Sequence, residues 1–214
     1  MGHVIKDFIA INDAYVCIDN PDTNYIADHD PPYYSDNNGI RVAGGDGMGH
    51  GTADGWMNFD LTSIPAGSSI TSATLFILAY GGGNANYGNP TAHMYTCRSP
   101  NTTGELWTED SITWNNAPTE MIQNYIGDFV GPDFNSTEQI SGDPIEYSFG
   151  MTDWISRFVG SLYPISFYMN CDASVYFCRL SSHRYGNGYS YLHVEYDEPV
   201  VASTGETLPM MGVG

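Results

Sequence analysis

The stretch ITSATLFILAY (70–80) constrains this chain more than any other segment. Its residues alternate, with Ala73, Leu75 and Ile77 on one side and Thr74, Phe76, Leu78 and Tyr80 on the other. That period of two belongs to a strand with one face on a core. Similar runs recur between Gly, Pro, Asn and Asp clusters: 4–19, 56–61, 91–97, 121–135, 145–150, 164–171, 174–180 and 189–196. Val, Ile, Thr, Tyr and Phe dominate these runs, and few stretches favour a helix. The best helix candidate is MTDWISRFV (151–159), with Thr152 or Asp153 as cap and Trp154, Ile155, Phe158 and Val159 on one face. Many short strands with one helix predict an all-β, jelly-roll-type sandwich of two sheets with long Gly/Asn/Asp-rich loops. The predicted domain spans 1–197. Residues 198–214 form a tail expected to fold back or to pack on a neighbouring subunit.

Charge narrows the function. The chain has 214 residues, and its 25 acids face six bases, a formal net charge of -19. Phosphate backbones and anionic membranes are repelled, so nucleic-acid binding is excluded. No apolar run reaches the ~20 residues of a spanning helix, so membrane insertion is not expected. Hydrophobic residues at 42% and aromatics at 14% are enough for a sizeable core.

An extracellular or cell-surface location is expected. Four cysteines, Cys17, Cys97, Cys171 and Cys178, allow three disulfide pairings. Cys171 and Cys178 sit at the joint of two strands and are the favoured pair; four buried thiols are the alternative. Glycosylation sequons occur at Asn101 and Asn135, both in loop-like segments.

Two motifs resemble a known family. WMNFDLTSIPAGSSITSATL (56–75) and WTEDSITWNNAP (107–118) resemble central elements of the DNRLRE domain. DAYVCIDNPDTNY (13–25), FGMTDWISRFVG (149–160) and YLHVEY (191–196) match more loosely, so the resemblance covers about residues 10–197. It implies a jelly-roll sandwich in secreted modular proteins, some of them archaeal surface proteins with disaggregatase-like repeats. Some relatives are carbohydrate-binding modules, including alginate binders; others are adhesive proteins. It implies no catalytic set. The insertions at 28–54 and 81–90 depart from the family pattern.

Candidate site residues follow. In 56–61, Met57, Phe59 and Leu61 share the core face, so Trp56 points outward, where a sugar could stack or a partner could pack. Phe76, Leu78 and Tyr80 make an apolar stripe that needs a cover. Tyr33, Tyr34 and Tyr87 are further stacking candidates. Asp19, Asp22 and Asn24, and Asp46 and Asp54 beside the glycine-rich loop, are oxygen donors suited to calcium. Trp107, Trp114, Asn115 and Asn116 are read as structural, the tryptophans plugging one end of the sandwich. No metalloprotease, nucleophile-elbow or phosphate-loop pattern appears, so the chain is expected not to be an enzyme.

The expected function is a self-assembling structural subunit of a surface filament, sheath or layer. Its partners are copies of itself, with residues 1–11 and 198–214 as donor segments. The alternative is a carbohydrate-binding module for a polysaccharide, with a neutral glycan favoured because the basic residues are few and scattered.

Overall fold

The computed structural model describes residues 2–26, 39–45, 51–80, 83–84, 91–97, 107–131, 133–134, 145–171, 177–182 and 188–200. The strands are β1 (His3–Ile9), β2 (Asn12–Cys17), β3 (Tyr25–Ile26), β4 (Gly39–Gly44), β5 (Thr52–Phe59), β6 (Ser69–Tyr80) and β7 (Gly83–Asn84). They continue with β8 (Thr91–Cys97), β9 (Ile122–Val130), β10 (Asp133–Phe134), β11 (Ile145–Gly150), β12 (Ile165–Cys171), β13 (Phe177–Ser181) and β14 (Tyr191–Asp197). One antiparallel path runs β1-β14-β6-β13-β4-β5-β12-β8-β9. β11 pairs with β6, β2 with β5, and β3 with β2.

The path folds over itself into two layers. Leu75, Ile77, Leu192 and Val194 from one layer share a buried cluster with Met57, Phe59, Met94 and Phe167 from the other. Alternation explains the membership. Along β6, Ala73, Leu75, Ile77 and Ala79 are buried while Thr74, Phe76 and Leu78 are half-buried. The expected all-β sandwich is the observed architecture.

The helix is shorter than its sequence pattern. α1 spans Thr152–Ile155 and tightens into a 3₁₀ turn at Ser156–Phe158. Met151, not Thr152 or Asp153, is its N-cap, with no side-chain capping bond. The Thr152 hydroxyl instead accepts the Ala73 N–H at 3.0 Å, and Met151 N–H donates to Ala73 O at 2.8 Å. These bonds fasten the turn to β6, and Trp154 packs on Phe167, ring centroids 5.2 Å apart.

β4 lies inside a segment that reads as loop. Its flanking glycines hide a short alternation in which Ile40 and Val42 are fully buried. The N-terminal segment, an expected donor to a neighbour, is a strand of its own domain. β1 pairs with β14 of its own chain from His3↔Asp197 to Ile9↔Tyr191. Residues 201–214 lie outside the described residues.

The connector 107–121 forms a partial third layer. Trp56 is fully buried, not exposed as expected. It points away from the main core, but Trp107 covers it at 6.2 Å and Tyr168 flanks it at 5.0 Å. Ala14, Val16, Cys97 and Ile112 complete this second cluster. Trp107 therefore covers a sheet face and does not plug an end; its indole N–H donates to Ser166 Oγ at 3.3 Å. Trp114 packs against the same cluster. Polar ties hold the connector down. Asn115 donates its backbone N–H to Pro21 O and its side-chain amide to Asp22. Asn24 donates to the carbonyl of Asp110 at 2.6 Å. Asn116 closes the connector on itself through Thr113 N–H and Ser111 O.

Removing the covering indole should cost what a large buried aromatic costs. Trp107→Ala is expected to lower unfolding stability by about 3–5 kcal/mol, read by denaturant titration. A loss under about 1 kcal/mol would show that the connector is not a packed layer.

Candidate functional site

Edge strand β9 carries two irregularities against β8. The register runs Thr91↔Val130, Ala92↔Phe129, His93↔Asp128 and Met94↔Gly127, then jumps to Tyr95↔Tyr125 and Cys97↔Ile122. Ile126 is the extra residue of the first bulge. A second extra residue falls between Ile122 and Tyr125. In a regular strand, residues three apart face opposite sides. The bulge resets the alternation, so Tyr125 and Asp128 stand together on the outer face, opposite Tyr95 and His93. Bulges re-aim side chains in this way and cluster next to functional sites. Gly127 completes the kink, because a Cβ there would meet the Phe149 ring at 2.8 Å.

These four side chains form a shelf. His93 Nδ1 lies 2.5 Å from Asp128 Oδ1. A carboxylate only accepts, so Nδ1 carries the proton and Nε2 is the other polar edge of the ring. The Tyr125 hydroxyl also donates to Asp128, which raises the tyrosine's pKa. The His93 hydrogen bond, and then that of Tyr125, hold the Asp128 carboxyl below the usual carboxylate range. Tyr125 is nonetheless 55% exposed. The shelf is therefore an exposed ring whose orientation is pinned by a carboxylate and an imidazole.

An aromatic row backs it. Tyr95 lies 5.7 Å from Tyr125 on one side and 5.7 Å from Tyr168 on the other. Tyr168 continues to Trp56 beneath the connector. Its hydroxyl donates to Asp54 Oδ2 at 2.9 Å. Burial pushes the Asp54 carboxyl up to about 6 despite that bond. Asp54 Oδ1 is buried with no hydrogen-bond partner.

The opposite side of β9 borders a cleft of about 440 Å3. Asn124 and Ile126 line it from β9, Thr96 from β8, and Asp153, Trp154 and Arg157 from the helical turn. Its lining mixes polar and apolar groups, and its indole, Trp154, is buried.

The other expected residues are dispersed. Phe76 is covered within the chain, because the Tyr191 ring stacks on it at 4.8 Å and 16°. The edge of His193 closes the same spot at 6.5 Å. Leu78 is half-buried beside it. The His193 ring is held by Asp7 at 2.6 Å, and His3 by Asp197 at 3.1 Å. Asp22 and Asn24 serve as ties to the connector. Asp19 accepts the Gly51 N–H. Asp54 accepts the Tyr168 hydroxyl. Among the described residues, no three His, Cys, Asp or Glu side chains converge to hold a metal ion. Cys171 and Cys178, the expected disulfide pair, lie side by side. Tyr33, Tyr34, Asp46, Tyr87, Asn101 and Asn135, and the Tyr80 side chain, lie outside the described residues.

The sequence of β9 concealed the shelf. Read with period two, Tyr125 and Asp128 fall on opposite faces. The glycine at 127 beside an aromatic was the available hint, since an isolated glycine in a strand marks a bulge.

Comparison with known proteins bears on what such a shelf does. The sequence pattern of carbohydrate-binding module family 96 matches residues 4–128, more than half of the chain. The chain belongs to carbohydrate-binding module family 96. The match is to that family and not to the DNRLRE domain as such. It takes in β1 to β9 up to Asp128, so His93, Tyr95, Tyr125 and Asp128 all fall inside it. Trp154, Arg157 and Tyr168 fall beyond it. Among solved structures, the chain is similar to the cleaved adhesin domain of Lys-gingipain from Porphyromonas gingivalis. That likeness has 12% identity and a TM-score of 0.38, and covers 93% of this chain and 99% of that one. It carries no argument about function. A search of curated proteins finds no match.

The Asp54 carboxyl predicts a pH-dependent stability. Its folded pKa is raised above the unfolded value, so the folded state binds more protons between about pH 4 and pH 6. Stability therefore falls as pH rises through that window, and the full cost, about 3 kcal/mol, is present above it. Asp54→Asn is expected to raise the unfolding midpoint at pH 7.5 and to leave it unchanged at pH 3.5. Parallel pH profiles for the two proteins would rule out the buried carboxylate as the cause.

Proposed function

We propose that the chain binds polysaccharide, outside the cell, on the shelf formed by Tyr125, Asp128, His93 and Tyr95. The observation that carries the reading is the exposed Tyr125 ring, fixed by Asp128 and His93 on a face brought together by the bulge. A sugar presents an apolar C–H face and a rim of hydroxyls. An exposed aromatic ring stacks on the first. The Asp128 carboxylate and the His93 edge hydrogen-bond the second. Pinning the tyrosine before binding lowers the ordering cost, which matters most for a weak, flat contact.

Charge selects among glycans. A surface with net charge -19 and a carboxylate at the centre of the shelf repels polyuronates and sulfated chains. A neutral polysaccharide fits best. Family membership favours this reading over self-assembly, because the family is one of carbohydrate-binding modules. The expected N-terminal donor is already a paired strand of its own domain.

Affinity electrophoresis against a panel of neutral and acidic polysaccharides tests the proposal. At least one neutral polymer should retard the protein. Tyr125→Ala should weaken that binding more than tenfold and Asp128→Ala severalfold. Tyr191→Ala, on the other sheet, should leave it unchanged. Migration unaltered across the whole panel, or full binding by Tyr125→Ala, would overturn the assignment of this site.

A further inference from the structure

The sequence permits three pairings of four cysteines, and the structure separates them. Cys171 closes β12, which lies between β5 and β8. Cys178 is the second residue of β13, which lies between β6 and β4 in the other layer. The two cysteines therefore stand in different layers. Both belong to the main core cluster, Cys171 8% exposed and Cys178 fully buried. Their side chains are in hydrogen-bonding contact. Cys97 belongs to the second cluster, beneath the connector. Cys17 shares the main core cluster but ends β2, where its neighbours are Asp19, Asn20 and Arg41 and not a cysteine.

We infer that Cys171 and Cys178 form an intramolecular disulfide that clamps the two sheets together when the chain folds under oxidising conditions, and that Cys17 and Cys97 stay as thiols. The oxidant is a small-molecule disulfide of the glutathione class. A Cys171 thiolate attacks one sulfur of that disulfide, forms a mixed disulfide and releases the first small thiolate. A Cys178 thiolate then attacks the Cys171 sulfur and releases the second. The protein loses two thiol protons, which the two released thiolates take up, and two electrons, which reduce the oxidant. Cys171 is the entry point because it alone of the pair retains exposure. Contact with Cys171 and burial both push the Cys178 thiol up, so it is a poor nucleophile once folded. The bond accordingly forms during folding and is slow to form in a finished, reduced domain.

The ring it closes is short, so its effect on the unfolded chain is moderate. The expected gain is about 5–10 °C in the unfolding midpoint.

The test is to refold fully reduced, denatured protein in a glutathione redox buffer. Thiols are then counted under denaturing conditions, and cross-linked peptides mapped without reduction. The expected result is two thiols, at Cys17 and Cys97, and one peptide pair joining Cys171 to Cys178. Reductant should lower the midpoint of this product. Cys17→Ser and Cys97→Ser should keep both the cross-link and the reductant response, while Cys171→Ser should lose both. Because serine variants in a core can fail to fold, the wild-type midpoint with and without reductant is the second readout. Four thiols after oxidative refolding, or a cross-link through Cys17 or Cys97, would overturn the inference. So would a midpoint that reductant does not move.

Discussion

Burial of β5 on both faces is the constraint on which the rest of the molecule depends. Met57 and Phe59 enter the core between the sheets, while Trp56 on the other side is sealed by Trp107 and Tyr168. A strand buried on both sides needs a cover for each. The opposite sheet supplies one. The connector supplies the other, and it can do so only because its irregular backbone is satisfied by Asn24, Asn115 and Asn116.

The same cover decides where a ligand can reach the sheet. It reaches as far as Tyr95, which is half-buried against that cluster, and leaves the far end of the aromatic row, Tyr125, exposed. That row is continuous from the closed region to solvent, so the exposed ring stands on a rigid base. At its inner end, Asp54 holds a buried carboxylate against the Tyr168 hydroxyl. A polar group in so low a dielectric is costly.

Much of the fold was legible. The alternation of ITSATLFILAY put Ala73, Leu75 and Ile77 in the core, and the structure agrees. The Asn-rich WNNAP connector reads as structural and is structural. Trp56 was assigned to the correct side of its strand and to the wrong environment, because nothing in a period-two pattern reports what lies on top of a sheet. β4 was hidden because glycines surround its two core residues. The shelf was hidden because bulges break the parity by which faces are assigned. Phe76 looked like a bare apolar stripe because its cover, Tyr191, comes from a distant strand.

Composition and local pattern by themselves determined that this chain is an acidic, all-β domain with a substantial core. Those properties sum over residues or repeat every second one, so they need no knowledge of neighbours. Only the tertiary structure decided which aromatic is exposed, which cysteines meet, and which acid is buried. Each of these depends on contacts between segments far apart in the chain. One extra residue at Ile126 is enough to place Tyr125 and Asp128 on one face.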